Sequence, residues 1–389
     1  MTPSRTPALS LILCSRNDQY MGNSRWRLQT TLNYVAQRVH ELDREEDVEV
    51  LVADWGSDIP LREVVELSPA AARMVSFILI PPGIARDLQQ DSPFPEVLAL
   101  NAAARRAGGE YIGRIDQDTL VGKRFLQYFF DLYEGRRQLD VPLTSALLFA
   151  NVRMVPYRLS VRCPSFWTID KYINCFWRFL KIQFTSRITF YRYSVGIWLL
   201  HRDLWNACGG YDERMIYMND MEVNMIERLM KNHKVVNLGK LVDYDFYHLE
   251  HYHPLAPRRS STYRMVNPWS PFAQPDICHP NGPDWGLVQY PFETLPCSPD
   301  RNKDETATLR QSPLEWLFFI LLMVSAGIQI ASDKLIKSVR MGNVVWRRRT
   351  ATAWETVRCE PLVRWPRLLI SLWVRKKHDQ RQERQKYLQ

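Results

Sequence analysis

Two aspartates with one residue between them, Asp116 and Asp118, follow the short apolar run from Tyr111 to Ile115. If this run is a strand of a parallel sheet, its carboxyl end borders the crevice where open α/β sheets bind ligands. Two carboxylates in that position can share a divalent cation with a diphosphate, because Mg²⁺ prefers oxygen ligands and keeps sites for phosphate. The spacing alone also fits a solvated acidic turn, so its position in the fold decides the interpretation.

Two further polar turns follow apolar runs in the same way. Ser15 to Asp18 comes after Leu9 to Cys14, and Asp54 to Ser57 comes after Val48 to Val52. Because the carboxyl ends of parallel strands meet at one edge of a sheet, we expect both turns to lie beside the aspartate pair. The sequence therefore predicts one site built from three strand ends.

An acidic segment further along the chain carries a candidate general base. Glu222 lies at the start of Met221 to Met230, whose apolar spacing predicts a helix. A carboxylate at a helix start that borders a cleft can accept a proton from a hydroxyl, given a suitable geometry and pKa. An acidic first turn also complements the helix dipole, so both interpretations stay open.

Three histidines fall within the segment Tyr247 to His253. Neutral imidazole is a common metal ligand, and a helix would bring His248 and His251 towards one face. A dedicated zinc site would need more ligands than this segment offers. A metal site begun by Asp118 needs only one of these histidines, and the sequence does not decide between His248 and His251.

The scaffold for these residues is predicted to be α/β. Hydrophobic residues make up 46% of the 389 residues and charged residues 24%, which excludes a disordered chain and allows a sizeable core. Short apolar runs alternate with amphipathic segments over the first 135 residues, as in a mostly parallel sheet flanked by helices. The predicted strands are Leu9–Cys14, Val48–Val52, Val75–Ile80, Tyr111–Ile115, Ile188–Leu200 and Val235–Leu238, and the main predicted helices are 28–39, Val97–Arg106, 126–133 and Met221–Met230.

Taken together and in this order, the motifs resemble glycosyltransferase family 2 over roughly residues 8–253. The segments that carry the resemblance are Leu9–Asn17, Val52–Ser57, Ala99–Ala104, Gly109–Ile112, Asp116–Asp118, Gly209–Glu213 and His248–His251. The resemblance implies a GT-A fold, a Rossmann-like mixed sheet flanked by helices, and a nucleoside-diphospho-sugar donor, usually a UDP-sugar. We expect a nucleotide-sugar-binding half at 1–135 and an acceptor and metal half with a proline-rich loop region at 136–312. Residues 313–389, an apolar segment and a basic amphipathic tail, are expected to form a helical membrane-associating extension.

The resemblance also assigns the site residues. Those it implies for donor binding are Ser15, Arg16, Asp54, Asn101, Asp116, Gln117, Asp118 and Gly210. Asp118 is expected to contact Mn²⁺ or Mg²⁺ directly, with Asp116 and His248 or His251 as further ligands. The Gly209–Glu213 segment is similar to the part of galactosyltransferase-like enzymes that shapes the donor-sugar and acceptor site.

The sequence departs from the family pattern at two places. Asp54 stands alone where the family often has two adjacent acids, so the predicted nucleoside contacts depend on this one carboxylate. The usual Glu-Asp pair before the final helix is not intact. Depending on how this segment is aligned with the family pattern, the predicted base is either Glu222 or Asp220, and we favour Glu222.

The positive charge of the chain is concentrated at its C-terminal end. The formal net charge is +9, and residues 333–389 carry 15 Lys and Arg against 5 Asp and Glu, so the remaining chain is nearly neutral. A nucleic-acid enzyme would be expected to spread basic residues through its working domain, so we predict no nucleic-acid partner. The mostly apolar segment 314–332 and the interleaved Trp and Arg residues after it predict attachment to an anionic membrane surface, peripherally or by one anchor segment.

Cysteine usage indicates the compartment. Seven cysteines without a CxxC pair are unlike a secreted disulfide framework, so we expect the cytoplasmic side of the membrane. The function expected there is metal-dependent, inverting transfer of a sugar to a glycan or lipid-linked acceptor. The alternatives are a sugar-nucleotide pyrophosphorylase, which should carry a Gly-rich phosphate loop after the first strand, and a catalytically silent membrane-associated binding protein of the same fold.

Overall fold

The computed structural model describes residues 6–155, 157–176, 196–217, 220–239, 241–251 and 281–299, together with Ile320. The chain divides into two compact units, Met1–Ser312 and Pro313–Gln389. Apart from Ile320, the second unit lies outside the described residues, and so do the predicted apolar segment and the basic tail. Within the described residues, no helix is long and apolar enough to cross a membrane.

The described part of the first unit alternates strands and helices. The strands are β1 (Leu9–Ser15), β2 (Val48–Trp55), β3 (Val75–Ile80), β4 (Tyr111–Arg114), β5 (Thr119–Val121), β6 (Ala146–Ala150), β7 (Arg153–Val155), β8 (Ile197–His201), β9 (Lys234–Asn237), β10 (Phe246–Leu249) and β11 (Thr294–Pro296). The helices are α1 (Ser24–His40), α2 (Leu61–Val64), α3 (Pro69–Met74), α4 (Pro82–Gln89), α5 (Glu96–Arg106), α6 (Lys123–Tyr133), α7 (Tyr157–Ser160), α8 (Phe166–Lys171), α9 (Arg202–Cys208) and α10 (Met221–Leu229).

Eight strands form the main sheet in the order β11-β3-β2-β1-β4-β8-β6-β9. The strands β3, β2, β1 and β4 run parallel, whereas β8 is antiparallel to both β4 and β6. This is the Rossmann-like mixed sheet expected of a GT-A fold, so that prediction is confirmed. A second sheet of three short strands has the order β5-β10-β7.

Both faces of the main sheet are covered, which explains why its central strands read as continuous apolar runs. Leu9, Leu11 and Leu13 of β1 pack in one core, and Ile12 packs in the other. The predicted helical stripe of α1 lies in the first core, and the Ala-rich helix α5 lies in the second. The carboxyl ends of β1, β2 and β4 are therefore fixed rigidly from both sides.

Some element bounds differ from the prediction. The last strand before α9 is Ile197–His201, and residues 188–195 of the longer predicted strand lie outside the described residues. The three-stranded sheet was not predicted, because its strands are only three or four residues long. Edge strand β11 was not predicted either, since it lies in a stretch rich in proline.

Candidate active site

The three polar turns predicted at strand ends do lie together. Ser15 pairs with Asp54 in the parallel register of β1 and β2. The Ser15 hydroxyl donates to Gln117 Oε1 at 2.5 Å, which links the first turn to the aspartate pair. The backbone N–H of Asn17 donates to Ser57 Oγ at 2.8 Å, which links the first turn to the second turn. Hydrogen bonds thus join all three turns into one edge of the sheet.

Asp54 holds its own turn together. It is buried; its carboxylate accepts hydrogen bonds from the Ser57 hydroxyl and, at 2.7 Å, from the amide of Leu61. Burial raises the pKa of Asp54 to about 6, against the lowering effect of these two donors. Arg16 nearby pairs with Asp18 at 2.8 Å and lies over the ring of Phe94. Nucleoside contacts of Asp54 and Arg16 stay a prediction.

A candidate metal centre lies beyond β4. One ligand atom each from Asp118, His248 and His251 can be chosen so that all three lie within 4.8 Å of one another. His248 Nδ1 is 3.1 Å from Asp118 Oδ1, and His251 Nε2 is 3.3 Å from Asp118 Oδ2. One carboxylate and two imidazoles form a donor set that fits a divalent transition-metal ion. The structure thus brings both candidate histidines to Asp118, rather than only one.

The small sheet places these histidines. In β10, which is a strand and not the helix considered for this segment, His248 lies opposite Thr119 of β5 in an antiparallel pair. The backbone oxygen of Asp118 accepts from the Leu249 amide at 2.9 Å, so the two segments are locked in register. The three-stranded sheet therefore holds His248 beside Asp118, at the edge of the main sheet.

A buried arginine also contacts Asp118. The Arg27 guanidinium, at the start of α1, donates to Asp118 Oδ2 and, at 2.6 Å, to the backbone oxygen of Tyr20. Burial alone would raise the pKa of Asp118, but His248, His251 and Arg27 together hold it below its usual value. Asp118 is therefore ionised at neutral pH, as a metal ligand must be.

Asp116 points to a different group from its neighbour. It pairs with buried Arg114 at 2.7 Å, and the same Arg114 Nη2 lies 2.6 Å from Glu96 and 3.2 Å from Glu222. Asp116 is not in the cluster of Asp118 and the histidines, so its role as a metal ligand stays a prediction. The sequence analysis missed Arg114 and Glu96, although an arginine within a buried strand signals a charged partner.

Glu222 lies in the first turn of α10, within this carboxylate cluster. Burial raises its pKa to about 7, since the lowering effect of Arg114 is opposed by Glu96 and Asp116. Asp220 is the residue before the helix, with a left-handed φ of 64° and no side-chain capping hydrogen bond. Of the two candidate bases, Glu222 is the one that contacts the charged groups at the end of β4.

Asn101 and Gly210 build the turn at Gly209–Glu213. Asn101 is fully buried, and its side chain bonds the backbone N–H and C=O of Tyr211, both at 2.8 Å. Its side chain therefore positions this turn, and a direct contact of Asn101 with the donor stays a prediction. The Asn281 side chain donates to the backbone oxygens of Gly209 and Tyr211 and accepts from the backbone N–H of Glu213. The backbone N–H of Gly286 donates to the Glu213 carboxylate.

Gly210 has no space for a side chain. It adopts a φ of +69°, and a Cβ would collide with Asn101 Oδ1 and lie 2.9 Å from the Trp285 ring. Gly135 has a φ of +74° but nothing within 4 Å of its Cβ position. We expect Gly135→Ala to lower the free energy of unfolding by only about 1–2 kcal/mol, the penalty for a side chain at a left-handed φ. Gly210→Ala should lower the free energy of unfolding by roughly 1–3 kcal/mol more.

Urea unfolding of the two glycine variants measures this difference directly. Equal losses would show that the contact with Asn101 does not constrain the turn.

Comparison with solved structures finds proteins of remotely similar fold. Residues 1–349 of S. aureus TarS are 15% identical over 62% of this chain and 60% of that fragment, with a TM-score of 0.37. The same fragment in complex with UDP-GlcNAc is 14% identical over 66% of this chain and 61% of its own, with a TM-score of 0.37. The catalytic domain of Drosophila β1,4-galactosyltransferase 7, in complex with xylobiose, is 10% identical over 66% of this chain and 78% of its own, with a TM-score of 0.35.

The matched region thus spans about three fifths of the first TarS fragment. No family model matches the sequence, and no curated protein matches it.

Proposed function

We propose that the protein is a metal-dependent, inverting glycosyltransferase that moves a sugar from a nucleoside-diphospho-sugar, with UDP as the nucleotide, to a hydroxyl of a glycan or lipid-linked acceptor. The observation that carries this proposal is the pairing of two sites at one sheet edge. A donor set for a divalent cation is formed by Asp118, His248 and His251. Two residues before Asp118, Asp116 shares the Arg114 guanidinium with Glu222, a carboxylate whose pKa is raised to about 7.

Glu222 is suited to the role of general base. A base works best when its pKa is close to the operating pH, and a pKa of about 7 meets that condition. In its ionised form Glu222 accepts the proton of the acceptor hydroxyl while that oxygen bonds to the anomeric carbon. The bond from this carbon to the diphosphate oxygen breaks in the same displacement, so the sugar inverts its configuration.

Asp118, His248 and His251 would hold the cation. A bound divalent cation supplies Lewis-acid stabilisation of the leaving diphosphate. Between the two ions predicted, the pair of imidazole nitrogens favours Mn²⁺, because Mg²⁺ takes mainly oxygen ligands. Arg27 keeps Asp118 oriented from behind, as groups that hydrogen-bond a metal ligand commonly do.

The competing functions are disfavoured by features of the same edge. A pyrophosphorylase needs a glycine-rich phosphate loop after β1, whereas Ser15 to Asp18 contains no glycine. A silent binding protein has no need of a carboxylate with a raised pKa facing the donor-binding edge. Product analysis separates the three, since only a transferase forms a new glycosidic bond.

A thermal-shift screen of nucleotide sugars tests the proposal first. We expect one UDP-sugar to raise the melting temperature in the presence of Mn²⁺ and much less in EDTA, because ligands that bind the native state stabilise it. NMR of the reaction with candidate acceptors should then show the inverted anomer. Full turnover in excess EDTA would exclude the metal, and a stabilised protein that never forms product would favour the silent binding protein.

We also propose that the enzyme is attached to the cytoplasmic side of a membrane through residues 313–389, peripherally or by one anchor segment. The support is the sequence: a near-neutral body and a strongly basic C-terminal part with interleaved tryptophans. Basic residues near an anionic surface contribute about 1 kcal/mol each, and salt screens this attraction.

Replacing Arg347, Arg348 and Arg349 by glutamine in the full chain should weaken binding to phosphatidylserine vesicles by about 100-fold at low salt. The matched control replaces three exposed arginines of the first unit, Arg73, Arg136 and Arg137, and should change binding little. Co-sedimentation at two salt concentrations measures both. Equal losses in the two triple variants would contradict attachment through the C-terminal part.

A further inference from the structure

Arg114 joins three segments that are far apart in sequence. Its single Nη2 atom contacts Glu96 of α5, Asp116 after β4 and Glu222 of α10. Arg114 is buried, and each of its ion pairs among the described residues goes to one of these carboxylates. The arrangement is a buried cation with an excess of negative charge around it.

Such a cluster of carboxylates is unstable without the positive charge of Arg114. Like charges repel more strongly where water is partly excluded, and the side chains of Glu96 and Glu222 are only 20% and 14% exposed. Glu222 Oε1, in the first turn of α10, is held at 3.2 Å from Arg114 Nη2. The contact with Arg114 therefore fixes where the first turn of α10 places its carboxylate.

We infer that Arg114 is a positioning residue that keeps the Glu222 carboxylate beside Asp116, with Glu96 as the third carboxylate that completes the cluster. The inference rests on the proposed function for the role of Glu222. It assigns Arg114 and Glu96 no contact with the donor sugar or the acceptor. A guanidinium suits this task because it stays charged when buried, whereas the pKa of a buried lysine ammonium shifts readily.

Four charged or titratable groups of the described residues act on Glu222 electrostatically. Arg114 lowers the pKa of Glu222, whereas Glu96 and Asp116 raise it. The Tyr211 hydroxyl, from the Gly209–Glu213 turn, is the fourth such group, and it stays neutral because burial raises its pKa well above the usual value. Removal of Arg114 and removal of the Glu96 charge should thus move the titration of Glu222 in opposite directions.

Arg114→Met, Arg114→Lys and Glu96→Gln test the inference in the full-length protein. The titration of Glu222 is followed by ¹³C NMR of side-chain carboxyls without added metal, and Glu222→Gln assigns its signal. Arg114→Met should raise the pKa by about 1–3 pH units, the usual effect of one nearby charge, and Glu96→Gln should lower it. Arg114→Lys retains the charge and should lie between Arg114→Met and the wild type.

Turnover gives the second readout. Arg114→Met should lower kcat at least tenfold while the KM for the donor changes by less than threefold, and Arg114→Lys should recover part of kcat. If Arg114→Met does not fold, Arg114→Lys and Glu96→Gln still report the opposite shifts. An unchanged Glu222 titration in Arg114→Met, a shift of the same sign in Glu96→Gln, or a lysine variant no better than methionine would overturn the inference. If the proposed function is wrong but the inference is right, the pKa shifts of Glu222 would still be observed by NMR in a protein that transfers no sugar.

Discussion

Glu222→Gln should lower turnover by about 10²–10⁴-fold, the usual contribution of general acid–base catalysis, and leave donor affinity nearly unchanged. Glutamine keeps the shape of the side chain but cannot accept the acceptor proton. In the wild type, kcat/KM should rise with pH through about 7, because only the ionised form of Glu222 acts as a base. This rise should be absent in the variant, which a pH–rate profile measures.

Asp220→Asn is the matched control for this prediction. Both residues are acidic and lie at the start of α10, but Asp220 does not contact Arg114 in an ion pair of the described structure. We expect its substitution to change turnover by less than about tenfold. A large loss in Asp220→Asn with a mild effect of Glu222→Gln would assign the base to Asp220 instead.

Asp118→Asn should remove the Mn²⁺-dependent rise in melting temperature and lower turnover at least about 100-fold. Asparagine is preferable to alanine here, since an alanine would leave the buried Arg27 guanidinium without any side-chain partner in place of Asp118. Breaking such a buried pair typically costs about 3–5 kcal/mol, which would confuse loss of metal with loss of fold. Isothermal titration of Mn²⁺ into the variant measures the binding directly.

Asp170→Asn provides the control for this change. Asp170 also pairs with a largely buried arginine, Arg38, at 2.9 Å, but it lies on α8 and outside the candidate metal cluster. We expect it to lose some stability and to keep both Mn²⁺ binding and turnover. If Asp118→Asn still binds Mn²⁺ as tightly as Asp170→Asn does, the proposed metal centre is wrong.

The arrangement of the main sheet could be predicted from the sequence because its signal is local. Strands such as Leu9–Ser15 are buried on both faces, so a continuous apolar run marks them, and the polar turn that follows marks the ligand edge. The same pattern predicts that Ser15, Asp54 and Asp118 lie near one another at this edge. Hydrophobic periodicity therefore sufficed for the scaffold and for three of the strand ends.

The contacts within the site could not be predicted in this way. His248 reaches Asp118 through the pairing of β10 with β5, and strands of three or four residues have no distinctive periodicity. Asn101 stands out as a polar residue in an Ala-rich helix, but nothing local shows that its partner is the backbone of Tyr211. Arg114 could have been noticed as a charge within an apolar strand, although its three partners come from the tertiary fold.

The segment 281–299 affects the order in which the protein can be completed during synthesis. A nascent chain that ends at His251 already contains Glu222, Asp118 and both candidate metal histidines. It still lacks Asn281 and Gly286, which bind the turn at Gly209–Glu213, and it lacks β11, which pairs with the edge of β3. Domains fold largely as units as the chain leaves the ribosome, and an unpaired strand edge is prone to aggregate. Emergence of residues 281–299 from the ribosome therefore both covers this edge and completes the turn, so a chain that stalls earlier would leave the β3 edge without β11 and the turn without Asn281.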